Sequence, residues 1–161
     1  MKHHFFTAIV CISIIGAGLS GCEQDYFLAK SDPVSGQAWP KEHTKGFNFS
    51  VQDTSIPYHF ILSLRTTTDY EFQNLYLFMN TIYPDQSISR DTLEILLAGP
   101  DGKWLGKGKG FYRDNLFLFK KNVHLPMPGN YRVEFVQAMR KDTLKGIDEI
   151  GLRIQKNLPQ Q

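Results

Sequence analysis

Apolar residues are distributed in two different ways along this chain. Near the start they form one run, residues 5–19, broken only by Thr7, Cys11, Ser13 and small glycines. From Phe47 onward they alternate with polar residues in short stretches, the period-two pattern of strands with one buried face. Phe47, Phe49 and Val51 share one face; Tyr58, Phe60, Leu62 and Leu64 share another, with His59, Ser63 and Arg65 opposite. Residues 75–82 are apolar on both faces, which predicts a fully buried strand, stopped by the turn residues Tyr83-Pro84-Asp85. Leu93, Ile95 and Leu97 follow, closed by Gly99-Pro100-Asp101-Gly102. After residues 116–119 and the breakers Pro126, Pro128, Gly129 and Asn130, Tyr131, Val133 and Phe135 alternate with Arg132 and Glu134. Ile150, Leu152 and Ile154 finish the pattern.

About eight short strands at roughly ten-residue spacing, separated by prolines and glycines, predict two packed antiparallel sheets. The expected fold is all-β: an antiparallel β-sandwich of jelly-roll or immunoglobulin-like type over residues 46–155, with a tail at 156–161. Residues 136–145, with Ala138, Met139 and Leu144, fit a short helical turn or an ordered loop. Residues 22–45 carry Ser31, Asp32, Pro33, Ser35, Gly36 and Pro40 with little periodicity, and are expected to form a tether that Trp39 docks.

The opening run has a different meaning. Met1-Lys2-His3-His4 carries one fixed positive charge and no acid before the apolar stretch, the layout of a secretory signal peptide at 1–21. A spanning helix needs about 20 apolar residues, and this run gives way to Glu23-Gln24-Asp25 before reaching that length. It ends in Leu19-Ser20-Gly21-Cys22, which resembles the lipobox of bacterial lipoproteins. That resemblance implies cleavage between Gly21 and Cys22, and acylation of the Cys22 thiol. Several acyl chains, each methylene worth about 0.8 kcal/mol when buried, make an anchor that holds in practice. The chain is therefore expected in the cell envelope, outside the cytoplasm, on the inner or the outer membrane.

Cysteine usage and charge narrow the rest. The two cysteines are Cys11, in the discarded segment, and Cys22, so a disulfide framework, a zinc–thiolate site and a cysteine nucleophile are excluded for the mature domain. Removing 21 of 161 residues leaves 140, a length suited to one domain. Of 18 basic residues Lys2 leaves with the signal, so 17 face 16 acids, and nothing in that balance points to nucleic acid.

Candidate chemistry is sparse. Gly106-Lys107-Gly108-Lys109-Gly110 has glycines for close approach and lysines for an anion, but lacks P-loop spacing and runs into Phe111-Tyr112. His43, His59 and His124 lie far apart, without metal-ligand spacing. Asp101 and Asp148-Glu149 do not repeat as calcium ligands do. No Gly-x-Ser-x-Gly motif is present. The reading is a non-enzyme with no catalytic residue, metal or cofactor. The aromatic residues fall mostly at strand positions and belong to a core. Trp104 and Tyr112 stand apart beside the glycines, so Trp104, Gly106, Gly108, Gly110 and Tyr112 form a candidate partner surface.

Longer strings carry a family resemblance: Asn74-Leu75-Tyr76-Leu77-Phe78, Asp91-Thr92-Leu93-Glu94, and above all Gly99-Pro100-Asp101-Gly102-Lys103-Trp104-Leu105-Gly106-Lys107-Gly108. Gly129-Asn130-Tyr131-Arg132-Val133, Gln137-Ala138-Met139-Arg140 and residues 146–154 follow in order. From the lipobox to Ile154 the chain resembles the gliding-motility lipoprotein GldH family of Bacteroidetes. The resemblance implies a non-catalytic assembly or scaffolding lipoprotein of the machinery that drives gliding and is tied to type IX secretion, with other envelope proteins as partners. A carbohydrate-binding surface lipoprotein, using an aromatic patch, is the alternative.

Overall fold

The computed structural model describes residues 26–158; the expected signal peptide, Gly21 and Cys22 lie outside the described residues. The alternation in the sequence becomes ten strands: β1 (Leu28–Pro33), β2 (Ala38–Pro40), β3 (Lys45–Val51), β4 (Tyr58–Thr67), β5 (Asn74–Ile82), β6 (Ile88–Leu96), β7 (Tyr112–Val123), β8 (Gly129–Gln137), β9 (Thr143–Lys145) and β10 (Ile147–Lys156). All strand pairs are antiparallel. One sheet has the order β1-β10-β4-β7, the other β3-β8-β5-β6, and β2 with β9 makes a two-stranded ribbon.

That order decides between the two expected sandwiches. Of the connections between the eight main strands, only β5–β6 stays within its own sheet; every other one crosses to the opposite sheet. This is the double-sheet weave of a jelly roll. Its core is the set of alternating residues the pattern marked: Phe47, Phe49, Tyr58, Phe60, Leu62, Leu64, Tyr131, Val133, Phe135, Ile150, Leu152 and Ile154 are all buried. Aromatic rings join the sheets, Phe49 meeting Phe60 at 6.0 Å and Phe119 meeting Phe135 at 6.0 Å. Such pairs add about 0.5–1.5 kcal/mol beyond the area they bury. The open sides are closed by ion pairs, Lys45 to Asp32 (3.0 Å) on the β1/β3 side and Lys120 to Asp91 (2.8 Å) on the β6/β7 side.

Two expectations change and one open alternative is decided. The segment read as a tether from residue 22 to 45 is largely inside the fold: β1 pairs with β10 from Leu28↔Ile154 to Pro33↔Glu149, and Trp39 on β2 is completely buried. Its polar run misled because β1 is an edge strand, where exposed Lys30, Ser31 and a terminal Pro33 are tolerated. β5 is not buried on both faces. Leu75, Leu77 and Met79 point into the core, but Tyr76 and Phe78 face solvent, since a two-layer sandwich leaves each outer face open. Of the two readings of residues 136–145 the ordered loop is the observed one, linking β8, which ends at Gln137, to β9, which starts at Thr143.

The weave also sorts the connections to two ends. The chain enters at Tyr26 beside the β3–β4, β5–β6 and β7–β8 turns, and β10 leaves there too; this is called the near end. At the far end lie the β1–β3 and β8–β10 connections with their β2–β9 ribbon, the β4–β5 turn, and the long β6–β7 connection.

Candidate functional site: the far-end connection between β6 and β7

The connection opens as a miniature hairpin. Pro100 follows Gly99 in a tight turn whose Gly102 N–H donates to Gly99 O at 2.9 Å, while Gly99 N–H donates to Lys103 O at 2.8 Å. Proline at the second turn position pre-sets the backbone for this. Asp101 accepts from the Lys103 N–H at 3.2 Å and pairs with the Lys103 ammonium at 2.9 Å, and these bonds hold its carboxyl below the ordinary range. Trp104 bridges back to Ala98 and packs, half-buried, against the core. Its position is therefore structural on one side and open on the other.

Of the glycines beyond it, Gly106 and Gly108 answer to a neighbour within the chain and Gly110 to its own backbone conformation. A side chain at Gly106 would meet the Asn115 amide at 2.5 Å, and Asn115 is itself buried under the loop. Gly108 has φ +141° and lies so close to Tyr112 O that a Cβ would sit 2.5 Å from it; Gly110 has φ +69° with open space around it. These conformations let the chain reverse so that Lys107 and Asp114 exchange both backbone hydrogen bonds, at 2.8 and 2.7 Å. The loop is then tied down: Thr68 N–H donates to Phe111 O at 2.9 Å, and Arg113 donates to Gly110 O and Tyr112 O, both at 2.7 Å.

The result is a projection tied down by its own hydrogen bonds, with an apolar surface. Among the described residues, ten large apolar side chains are exposed, and five of them, Leu105, Phe111, Tyr112, Leu116 and Leu118, fall within residues 105–118. Scattered exposed apolar residues are ordinary, whereas a contiguous group marks a contact site. The group adjoins in parts: the rings of Phe111 and Tyr112 meet edge to face at 5.3 Å, Leu105 and Leu116 line one groove of about 340 Å³ with Phe117, and Tyr112, Leu116 and Leu118 share the outward face of β7 with Asp114. Arg65 donates to Asp114 at 2.7 Å and lies 5.9 Å from the Tyr112 ring; the bond to Asp114 pushes the guanidinium pKa further up. β7 is an edge strand, paired with β4 on one side and on the other only at Asp114.

Sequence reasoning placed Trp104, Gly106, Gly108, Gly110 and Tyr112 on this projection, and it missed Leu105, Phe111, Leu116 and Leu118. The last two alternate with Phe117 and Phe119 in a run apolar on both faces, so the pattern there does not say which face is exposed. The other candidates stay apart. His43 sits at the far end, where its carbonyl accepts the Trp39 indole N–H at 2.6 Å; His59 accepts from the Asn122 N–H at 3.1 Å; His124 lies in the near-end turns. Asp148 accepts from Gln37 at 3.1 Å, away from Asp101. Among the described residues no group of three or more His, Cys, Asp or Glu is placed to hold a metal ion.

A model of the GldH lipoprotein family matches residues 27–154, the span from β1 to β10. The chain belongs to the GldH lipoprotein family. A gliding motility lipoprotein GldH homolog of Christiangramia forsetii is 32% identical over 98% of this chain and 99% of its own length. Gliding motility lipoprotein GldH of Flavobacterium johnsoniae is 31% identical over 75% of this chain and 79% of its own. The family match begins within two residues of β1 rather than at residue 46, so the family unit and the folded unit coincide. A solved structure of infectious bursal disease virus aligns over 82% of this chain and 33% of that one at 13% identity, with a TM-score of 0.30, too remote to argue from.

Proposed function

We propose that this chain is a non-catalytic assembly component of the gliding-motility machinery and its linked type IX secretion system. Acyl chains on Cys22 hold it to a membrane of the cell envelope, and the projection between β6 and β7 docks another envelope protein. Family membership supports the setting. The observation that carries the docking role is the concentration of exposed Leu105, Phe111, Tyr112, Leu116 and Leu118 on one loop and strand edge. A folded domain gains nothing in stability from keeping these in water, and at the centre of a contact an aromatic residue typically contributes more than ~2 kcal/mol.

The test is a Leu105→Ser, Phe111→Ser, Tyr112→Ser triple variant, produced in a gliding strain that lacks its own GldH. These side chains are exposed, so the domain keeps its melting temperature and its membrane fraction while colony spreading is lost. Spreading equal to that given by the unaltered chain, at equal protein levels, refutes the docking role.

A further inference from the structure

The chain leaves very little length between its expected anchor and its fold. Tyr26 already lies 5.2 Å from the Arg153 guanidinium, Phe27 packs on the Tyr58 ring at 5.4 Å, and Leu28 opens the pairing with β10. From Cys22 to Tyr26 is four residues, which span at most ~14 Å however they are arranged. β4, ten residues long and running from the near end to the far end, measures ~33 Å. An anchor on so short a leash holds the near end at the bilayer and leaves the far end without reach to it unless the sandwich lies flat.

We infer that the near end of the sandwich rests end-on against the lipid surface, so that the β6–β7 projection points away from the membrane. This rests on the acylation of Cys22 proposed above. Four observations argue for the end-on pose. Ile88 and Leu158 are two of the three most exposed large apolar residues, at 65% and 58%, and both lie at the near end, on opposite sides of it from one another. Lys156, over the Phe27 ring at 5.3 Å, and exposed Lys121 supply cations beside them. Two acids of that end among the described residues are turned to their own loops: Asp53 accepts from the Ser55 N–H (2.9 Å) and hydroxyl (2.6 Å), and Asp85 does the same with Ser87 (3.0 and 2.6 Å). Apolar tips among lysines suit the headgroup layer of a bilayer. The β1 edge, which a flat pose would press on the lipid, instead presents Lys30, Ser31 and the Lys45–Asp32 pair.

The domain has no thiol of its own, which makes single-cysteine labelling clean. The full lipidated chain, carrying Ser55→Cys or Gln86→Cys at the near end, or Asp101→Cys or Lys109→Cys at the far end, is labelled with a fluorophore. It is then reconstituted in phosphatidylethanolamine and phosphatidylglycerol vesicles bearing a headgroup quencher. Labels at 55 and 86 lose most of their emission, and labels at 101 and 109 keep theirs. A flexible insert of about 20 residues after Cys22, with a root-mean-square reach of ~25 Å, restores emission at 55 and 86. Equal quenching at both ends, or quenching only at the far end, on a chain whose lipid is verified by mass spectrometry, overturns the pose alone. A chain without lipid on Cys22 overturns the anchor and the pose together.

Discussion

Trp39 and Tyr112 are both large aromatic residues at the far end, and their surroundings give them opposite roles. Trp39 is wholly buried at the β2–β9 ribbon, opposite Leu144, and its indole N–H reaches His43 O at 2.6 Å. Tyr112 is 42% exposed, with its ring against Phe111. Truncating a buried tryptophan costs about 3–5 kcal/mol, and an exposed side chain away from buried features usually stays within ~0.5 kcal/mol. Trp39→Ala is therefore expected to lower the urea midpoint strongly and Tyr112→Ala hardly at all, at unchanged slope. Equal losses would mean that Tyr112 is a core residue and no contact surface. Both roles were legible only in outline: Trp39 was expected to dock a tether, not to sit in the core from a strand of its own, because its stretch has no period, and exposure of Tyr112 was inferred only from the glycines beside it.

The strands that the sequence made legible are those whose two faces differ. β3, β4, β8 and β10 alternate buried and less buried residues throughout most of their length, and the expected faces are the observed ones. β1 was hidden because both of its faces are largely polar, and β2 and β9 because three residues hold no period. β5 was legible as a strand but not as a one-sided one, since Tyr76 and Phe78 put apolar groups in water, and β7 was legible only at residues 116–119, where Leu116 and Leu118 do the same. The domain boundary follows from β1. A chain of residues 26–158 is expected to fold as one cooperative unit that reducing agents leave untouched. Starting at residue 46 strips β1 from β10, opens a new sheet edge and removes Trp39 and Val34 from the core. That fragment is expected to lose several kcal/mol and to aggregate. Urea melts and size-exclusion chromatography compare the two, and equal stability would show that β1 contributes no more than a tether.

At the scale of the molecule, the jelly-roll weave separates two jobs. It brings both ends of the described chain to the near end and gathers four connections at the other, where the β6–β7 projection and the β7 edge that continues from it carry five of the ten exposed large apolar side chains among the described residues. Membership of the GldH lipoprotein family gives the envelope setting, and the projection is the surface proposed for joining an assembly. The most direct measurement places a photo-crosslinking amino acid in living, gliding cells at Phe111, at Tyr112 and, as a control on the opposite edge, at Ala29. The account predicts a discrete adduct from Phe111 and Tyr112, identified by mass spectrometry as one envelope protein that gliding requires, and no such adduct from Ala29. The same adduct from Ala29 alone, or none from Phe111 and Tyr112 in cells that still glide, would contradict it.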